Sequence, residues 1–235
     1  MVQLVGQVFN LPLMAMLDGV RWILFDAVGT LIYPYPRVAE VYHAAGQRFG
    51  SRLSAREIGE RFRLALSEEQ DAGLATSESN ERQRWQRLVG RVIDDVPHAA
   101  GALFDELWQH FAQPQHWRLY DDVPATLAGL ACHGYRLGIA SNFDNRLVAV
   151  ASGHSALGLC TDVFVSSGIG YVKPDPRFFR AVQERLGVCA SEIALVGDDD
   201  ASDVRGALAA GWQAVRLCRE GSTSPGAIRT LAELT

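Results

Sequence analysis

The chain has almost no lysine. Lys173 stands alone against 21 arginines, and such a bias suggests that the one compact ammonium is kept for a task that a planar guanidinium cannot do. Cysteine is sparse too. Cys132, Cys160, Cys189 and Cys218 are scattered and form no C-x-x-C pair, which speaks against a disulfide framework or zinc site and for reduced thiols in a cytoplasmic protein. No run of 18 apolar residues occurs, so no transmembrane helix is expected. The fairly apolar first 17 residues lack the Lys or Arg of a secretory signal. Nor is positive charge in excess: a net charge of −5 and a pI near 5.7 give no bulk attraction for nucleic acid or an anionic membrane. A small-molecule partner remains, on a monomer or homodimer.

What is present is an ordinary globular balance, 48% apolar and 21% charged over 235 residues, enough to bury a full core. Short apolar runs at 21–25, 135–140, 162–165, 192–196 and 214–218 read as buried parallel strands. Helical patterns separate them near 123–133, 146–152, 177–186 and 202–210, with Gly134, Gly187 and Gly211 as stops. Strands alternating with helices predict an α/β fold with a doubly wound parallel sheet. Residues 34–113 differ. Ser54 and Glu57 form a capping box before Ile58, Phe62, Ala65 and Leu66. Trp85, Leu88, Val89 and Val92 repeat the helical spacing, as do Leu103, Leu107 and Phe111. The expected organisation is a core of 19–33 and 114–235, an all-helical insert of 34–113, and an extension, 1–18, with no assigned structure.

Four polar clusters follow predicted strands, on the sheet edge where ligands bind in open α/β folds. Asp26, ahead of Val28, Gly29 and Thr30, suits a nucleophile, a cation ligand or a plain strand end. Ser141 and Asn142 offer phosphate donors or a helix cap. Lys173 sits between Gly170 and two prolines, Pro174 and Pro176, which stiffen the backbone around its ammonium. Asp198, Asp199, Asp200 and Asp203 put four carboxylates within six residues. Either they form a solvated helix N-terminus or, with Asp26 beside them, they need a cation, and oxygen-only ligands favour Mg²⁺. The six histidines show no metal-ligand spacing, and Arg82, Arg84, Arg87 and Arg91 read as a solvated face of the insert.

These clusters, in this order on these elements, resemble the haloacid dehalogenase superfamily. The helical insert is similar to the cap of its subfamily I. The resemblance runs from Arg21 onward, and 141–147 (SNFDNRL) and 170–179 (GYVKPDPRFF) carry it most clearly. It implies Asp26 as covalent nucleophile, with Ser141 and Lys173 holding the transferring group and Gly29, Thr30 and Asn142 nearby on the substrate. It implies Mg²⁺ held by Asp26, the Val28 carbonyl and Asp198, supported by Asp199 or Asp203. The cap selects a small phosphorylated substrate.

Val28 breaks the pattern, because phosphatases of this family carry a second Asp there as general acid and base. A positioned proton donor contributes about 10²–10⁴-fold, or roughly 3–5 kcal/mol of barrier, so the loss is tolerable only for a good leaving group. Three readings follow: a Mg²⁺-dependent phosphohydrolase with weakened or specialised turnover, a 2-haloacid dehalogenase, and a non-catalytic phospho-ligand binder. A dehalogenase needs no acid because halide leaves unprotonated, but it needs no Mg²⁺ either, and those enzymes usually carry Tyr at this position. A phosphonate hydrolase requires a cap lysine, and 34–113 contains none.

Overall fold

The computed structural model describes residues 17–69, 74–221 and 226–235. Residues 1–16 of the expected extension lie outside that set, but Leu17 is buried in the main core and the Asp18 carbonyl accepts a hydrogen bond from Gln213 Nε2 at 3.1 Å. The last residues before the first strand therefore pack as part of the core.

The first strand, β1 (Trp22–Phe25), is buried along its whole length because sheet neighbours flank it on both sides. After a tight turn comes β2 (Ile32–Pro34), then four helices: α1 (Val38–Arg48), α2 (Ala55–Glu69), α3 (Glu78–Val92) and α4 (Ala100–His110). Ser54 and Glu57 cap α2 reciprocally, with Glu57 Oε2 accepting from the Ser54 N–H at 2.8 Å. Ser77 starts α3 by accepting from the Asn80 N–H. The four helices bury a core of their own, including Val41, Tyr42, Ile58, Leu88, Val92, Leu103 and Leu107.

The chain returns through β3 (Trp117–Leu119), which pairs antiparallel with β2, and continues α5 (Val123–Cys132), β4 (Arg136–Ser141), α6 (Arg146–Ser152), β5 (Cys160–Val165), α7 (Ser166–Ile169), α8 (Pro176–Leu186), β6 (Ile193–Gly197), α9 (Gly206–Ala209) and β7 (Gln213–Arg216). The sheet order is β5-β4-β1-β6-β7, with every pairing parallel. The order reverses about β1, so the polypeptide leaves the central strands in opposite directions and opens a crevice at their carboxyl ends. Two apolar clusters cover the faces. Leu127, Leu130, Leu147 and Val150 lie in one; Phe178, Phe179, Val182 and Trp212 lie in the other. This is the doubly wound α/β fold that the alternation predicts.

Two details differ from the sequence reading. The two-stranded ribbon β2–β3 is absent from it, since three-residue strands are too short to show alternation. The continuous helix expected over 202–210 is a π-helical turn, Asp200–Arg205, followed by the short α9. The Val204 N–H reaches back to the Asp199 carbonyl, widening the turn where Asp203 faces inward, and such insertions cluster at functional sites.

Candidate active site

The carboxyl ends of β1, β4 and β6 deliver the polar residues to one place. Asp26 follows β1 directly and is locked to β6 by its N–H donating to the Val196 carbonyl at 2.9 Å. Ser141 is the buried last residue of β4. Lys173 arrives on the loop between α7 and α8 and is only 2% exposed. Its ammonium donates to Asp26 Oδ1 at 2.8 Å, Asp203 Oδ1 at 2.6 Å and the Ala140 carbonyl at 2.7 Å. Three N–H donors thus meet three acceptors, a match for a compact ammonium and not for a flat fork.

Asp26, Asp198 and Asp203 each turn a carboxylate oxygen to within 4.8 Å of the others. Two glycines make room. A Cβ on Gly29, which sits at φ +89°, would stand 2.5 Å from Asp198 Oδ2; a Cβ on Gly197 would stand 2.2 Å from Asp203 Oδ2. Thr30 Oγ1 donates to Asp198 Oδ1 at 3.1 Å, so Thr30 orients a carboxylate. Asp199 takes a different part. Its side chain accepts from the Ser202 N–H at 2.6 Å and its own N–H donates to Asp203 Oδ2 at 3.0 Å, which makes it a helix cap outside the converging trio. Asn142 is likewise committed: Oδ1 accepts from the Lys173 N–H at 2.7 Å and Nδ2 donates to the Lys173 carbonyl at 2.9 Å. Its amide clamps the lysine loop.

The charges are crowded. Burial, opposed by Lys173 and reinforced by Asp203 and Asp198, pushes the Asp26 carboxyl up to about 7. Burial, then Asp203, raises Asp198 as well. Burial opposes the Lys173 charge, but Asp26 and Asp203 outweigh it and hold the ammonium above the ordinary lysine range. Such shifts mark groups arranged for chemistry. A divalent cation would relieve the carboxylates, and the donor set of oxygens alone in a glycine-lined recess fits Mg²⁺.

The cleft above these groups has a volume of about 910 Å³. Residues from the helical layer line it as well as the sheet edge, including Leu66, Trp85, Arg84 and Arg87. Sequence reasoning placed the two arginines on a solvated face; Arg84 instead lies against Glu69 and Glu81 at 3.6 and 3.3 Å. The layer is tied to the lysine loop through 74–76, where the Val172 N–H donates to the Leu74 carbonyl and the Thr76 N–H to the Gly170 carbonyl, both at 2.9 Å. Val28 is 36% exposed and lines the cleft with no acidic group of its own.

Comparison with known proteins agrees with this fold. The family model for haloacid dehalogenase-like hydrolases matches residues 20–211. The haloacid dehalogenase-like hydrolase domain-containing protein 3 of Danio rerio is 30% identical over 193 residues, 78% of this chain and 79% of the relative. The (S)-2-haloacid dehalogenase 1 of Pseudomonas sp. strain CBS-3 is 29% identical over 86% of each chain. Among solved structures, a haloacid dehalogenase-type phosphatase from Thermococcus onnurineus superposes with a TM-score of 0.66 at 27% identity, covering 92% of this chain and 96% of that one. With the matched region spanning both halves of the sheet and the whole helical layer, the chain belongs to the family of haloacid dehalogenase-like hydrolases.

Proposed function

We propose that the chain is a Mg²⁺-dependent phosphohydrolase that works through an aspartyl intermediate on Asp26. The observation that carries this reading is Lys173, fixed between Asp26 and Asp203 while Asp198 converges on the same point. Asp26 and Asp198, with the Val28 carbonyl, would hold the ion, and Asp203 and Asp199 support them by anchoring Lys173 and the π-helical turn. When bound, the ion supplies charge neutralisation that lets an anionic phosphate approach an anionic nucleophile.

The chain's own groups then divide the work. Asp26, held against β6, presents its carboxylate oxygen to phosphorus. The Lys173 ammonium offsets charge on the transferring group, beside Ser141 at the end of β4. Helices α2 and α3 form the wall of the cleft that faces the sheet edge. The cleft contacts that lie on α2 and α3 supply recognition of the organic part. No carboxylate stands at position 28 to protonate the leaving group, so turnover favours esters that depart as stable anions.

The test is hydrolysis of p-nitrophenyl phosphate with Mg²⁺, with EDTA and in Asp26→Asn. Phosphate release that requires both the metal and Asp26 supports the reading. Absence of turnover despite Mg²⁺ binding overturns it in favour of a non-catalytic phospho-ligand binder. A dehalogenase is the second reading, favoured by Val28 and by the 29% identical Pseudomonas relative. Halide release from 2-haloacids without metal would establish it; the convergent carboxylates count against it.

A further inference from the structure

A second cavity, of about 250 Å³, opens beside the catalytic cleft. Val28, Leu66, Trp85 and Asn142 line both spaces, so the two are continuous across the residue that replaces the proton donor. Its walls come from both layers and are strongly aromatic: Tyr42, Phe62, Trp108, Trp117 and Phe143 join Trp85. Among the described residues, Arg146 is the one charged side chain on the lining, and its charge is already matched. Nε and Nη2 donate to the two oxygens of buried Asp144 at 2.8 and 2.7 Å, and the guanidinium lies 3.5 Å from the Trp108 ring centroid. The cavity therefore offers ring faces and a neutralised guanidinium plane, with no free charge to bind an amine or a carboxylate.

We propose that this cavity is the leaving-group subsite and that the substrate is a small aryl phosphate monoester. This rests on the phosphohydrolase reading and specifies its substrate class. Two independent features converge on it. Size is one: an apolar cavity of about 150 Å³ already accepts benzene, so about 250 Å³ holds one substituted ring. Chemistry is the other. An aliphatic ester leaves as an alkoxide that must be protonated, and Val28 has no proton to give. A phenol ionises near 10, so its anion departs unaided. An Asp26 oxygen attacks phosphorus, the phosphorus–aryl oxygen bond breaks, and its electron pair leaves on the phenolate, which takes a proton from solvent. Water then attacks phosphorus, the bond to Asp26 breaks and the carboxylate is regenerated; one of the water's protons returns to solvent, replacing the one the phenolate took, and the other stays on the phosphate. The sum is one ester and one water giving one phenol and one phosphate.

The test compares two inert phosphonates on the whole chain with Mg²⁺: benzylphosphonate, which carries a ring, and methylphosphonate, which does not. Binding is read from tryptophan fluorescence, since Trp85, Trp108 and Trp117 line the cavity, and from inhibition of acetyl phosphate hydrolysis. Burial of the ring is expected to make benzylphosphonate about 10- to 100-fold the tighter ligand. Val38→Phe, which fills the cavity from its wall, and Phe62→Gln, which makes it polar, should each cut that ratio about tenfold. Equal affinities, with acetyl phosphate still turned over, would overturn the subsite and leave the phosphohydrolase standing. Fluorescence that separates the two phosphonates without turnover of any phosphate ester would uphold the aromatic subsite and overturn the catalytic reading.

Discussion

At the scale of single residues, Lys173 ties the site together electrostatically. Replacing it by Met leaves Asp26 and Asp203 buried against each other with no cation between them. We expect Lys173→Met to lower the unfolding free energy in urea by about 3–5 kcal/mol, the usual consequence of breaking a buried pair on one side. Lys173→Arg should leave activity at least about 100-fold down, because the flat fork cannot meet three convergent acceptors. Gly29 carries a quieter constraint. With φ at +89° and Asp198 Oδ2 at 2.5 Å from a would-be Cβ, Gly29→Ala must displace the carboxylate, and calorimetric titration should show Mg²⁺ affinity reduced about 10- to 100-fold. Val28 makes a kinetic prediction. On the proposed aspartyl mechanism a good leaving group makes the first half-reaction fast, while hydrolysis of the intermediate would have no base at position 28 to assist it. Stopped-flow with p-nitrophenyl phosphate should show a burst approaching one p-nitrophenolate per chain; strictly linear release from the first turnover would rule that ordering out.

At the scale of elements, the site depends on how loops are pinned to strand ends. The Asn142 amide joins the end of β4 to the lysine loop through two main-chain hydrogen bonds. Asn142→Ala should lower kcat about 10-fold or more with little change in KM, the pattern of a lost positioning contact. Asn142→Asp, which cannot donate to the Lys173 carbonyl, should fall between. This clamp was not legible in the sequence, where Asn142 next to Ser141 reads equally as a phosphate donor. The strands were legible, because buried parallel strands are near-continuous apolar runs, and so was α8, opened by Asp175 and Pro176 and closed by Gly187 at φ +66°. Convergence on Asp26 was legible only through the order of the clusters. The π-helical turn was not, since widening by one residue depends on Asp203 turning toward Lys173, a tertiary demand with no local signature. Helix α1 also lacked a signal: Arg37 stands at its N-terminus in place of a preferred capping residue.

At the scale of the whole molecule, the helical layer and the sheet meet along a crossing that carries a stacked histidine pair. His110 ends α4, His116 precedes β3, and their rings lie 3.6 Å apart at 16°. Burial first, then His116 and Arg48, depress His110 to about 4, against the ordinary 6.5. The sign follows directly. The unfolded chain takes up a proton at that position as pH falls through 6.5, whereas the folded chain resists until about 4, so this contribution is present above 6.5 and is lost on acidification across that window. Taken as the difference from His110→Phe, which keeps the ring and cannot charge, the thermal melt of the parent chain should fall between pH 6.5 and 4, while Asp26, raised to about 7, gives the opposite slope in both proteins. An identical slope in the variant would place the acid sensitivity elsewhere. The same crossing joins the two apolar cores, with Phe111 packed against both.

The solitary lysine also makes the chain its own reporter. Its ε-amine is the only one the sequence encodes, and it is buried and held by three acceptors. An acylating reagent that attacks lysine amines therefore has one internal target, which reacts only once its three contacts, all on the sheet side, break and the ammonium gives up a proton. The rate at which mass is gained there reports how often those contacts break, and a ligand that holds them in place should slow that rate in proportion to its occupancy.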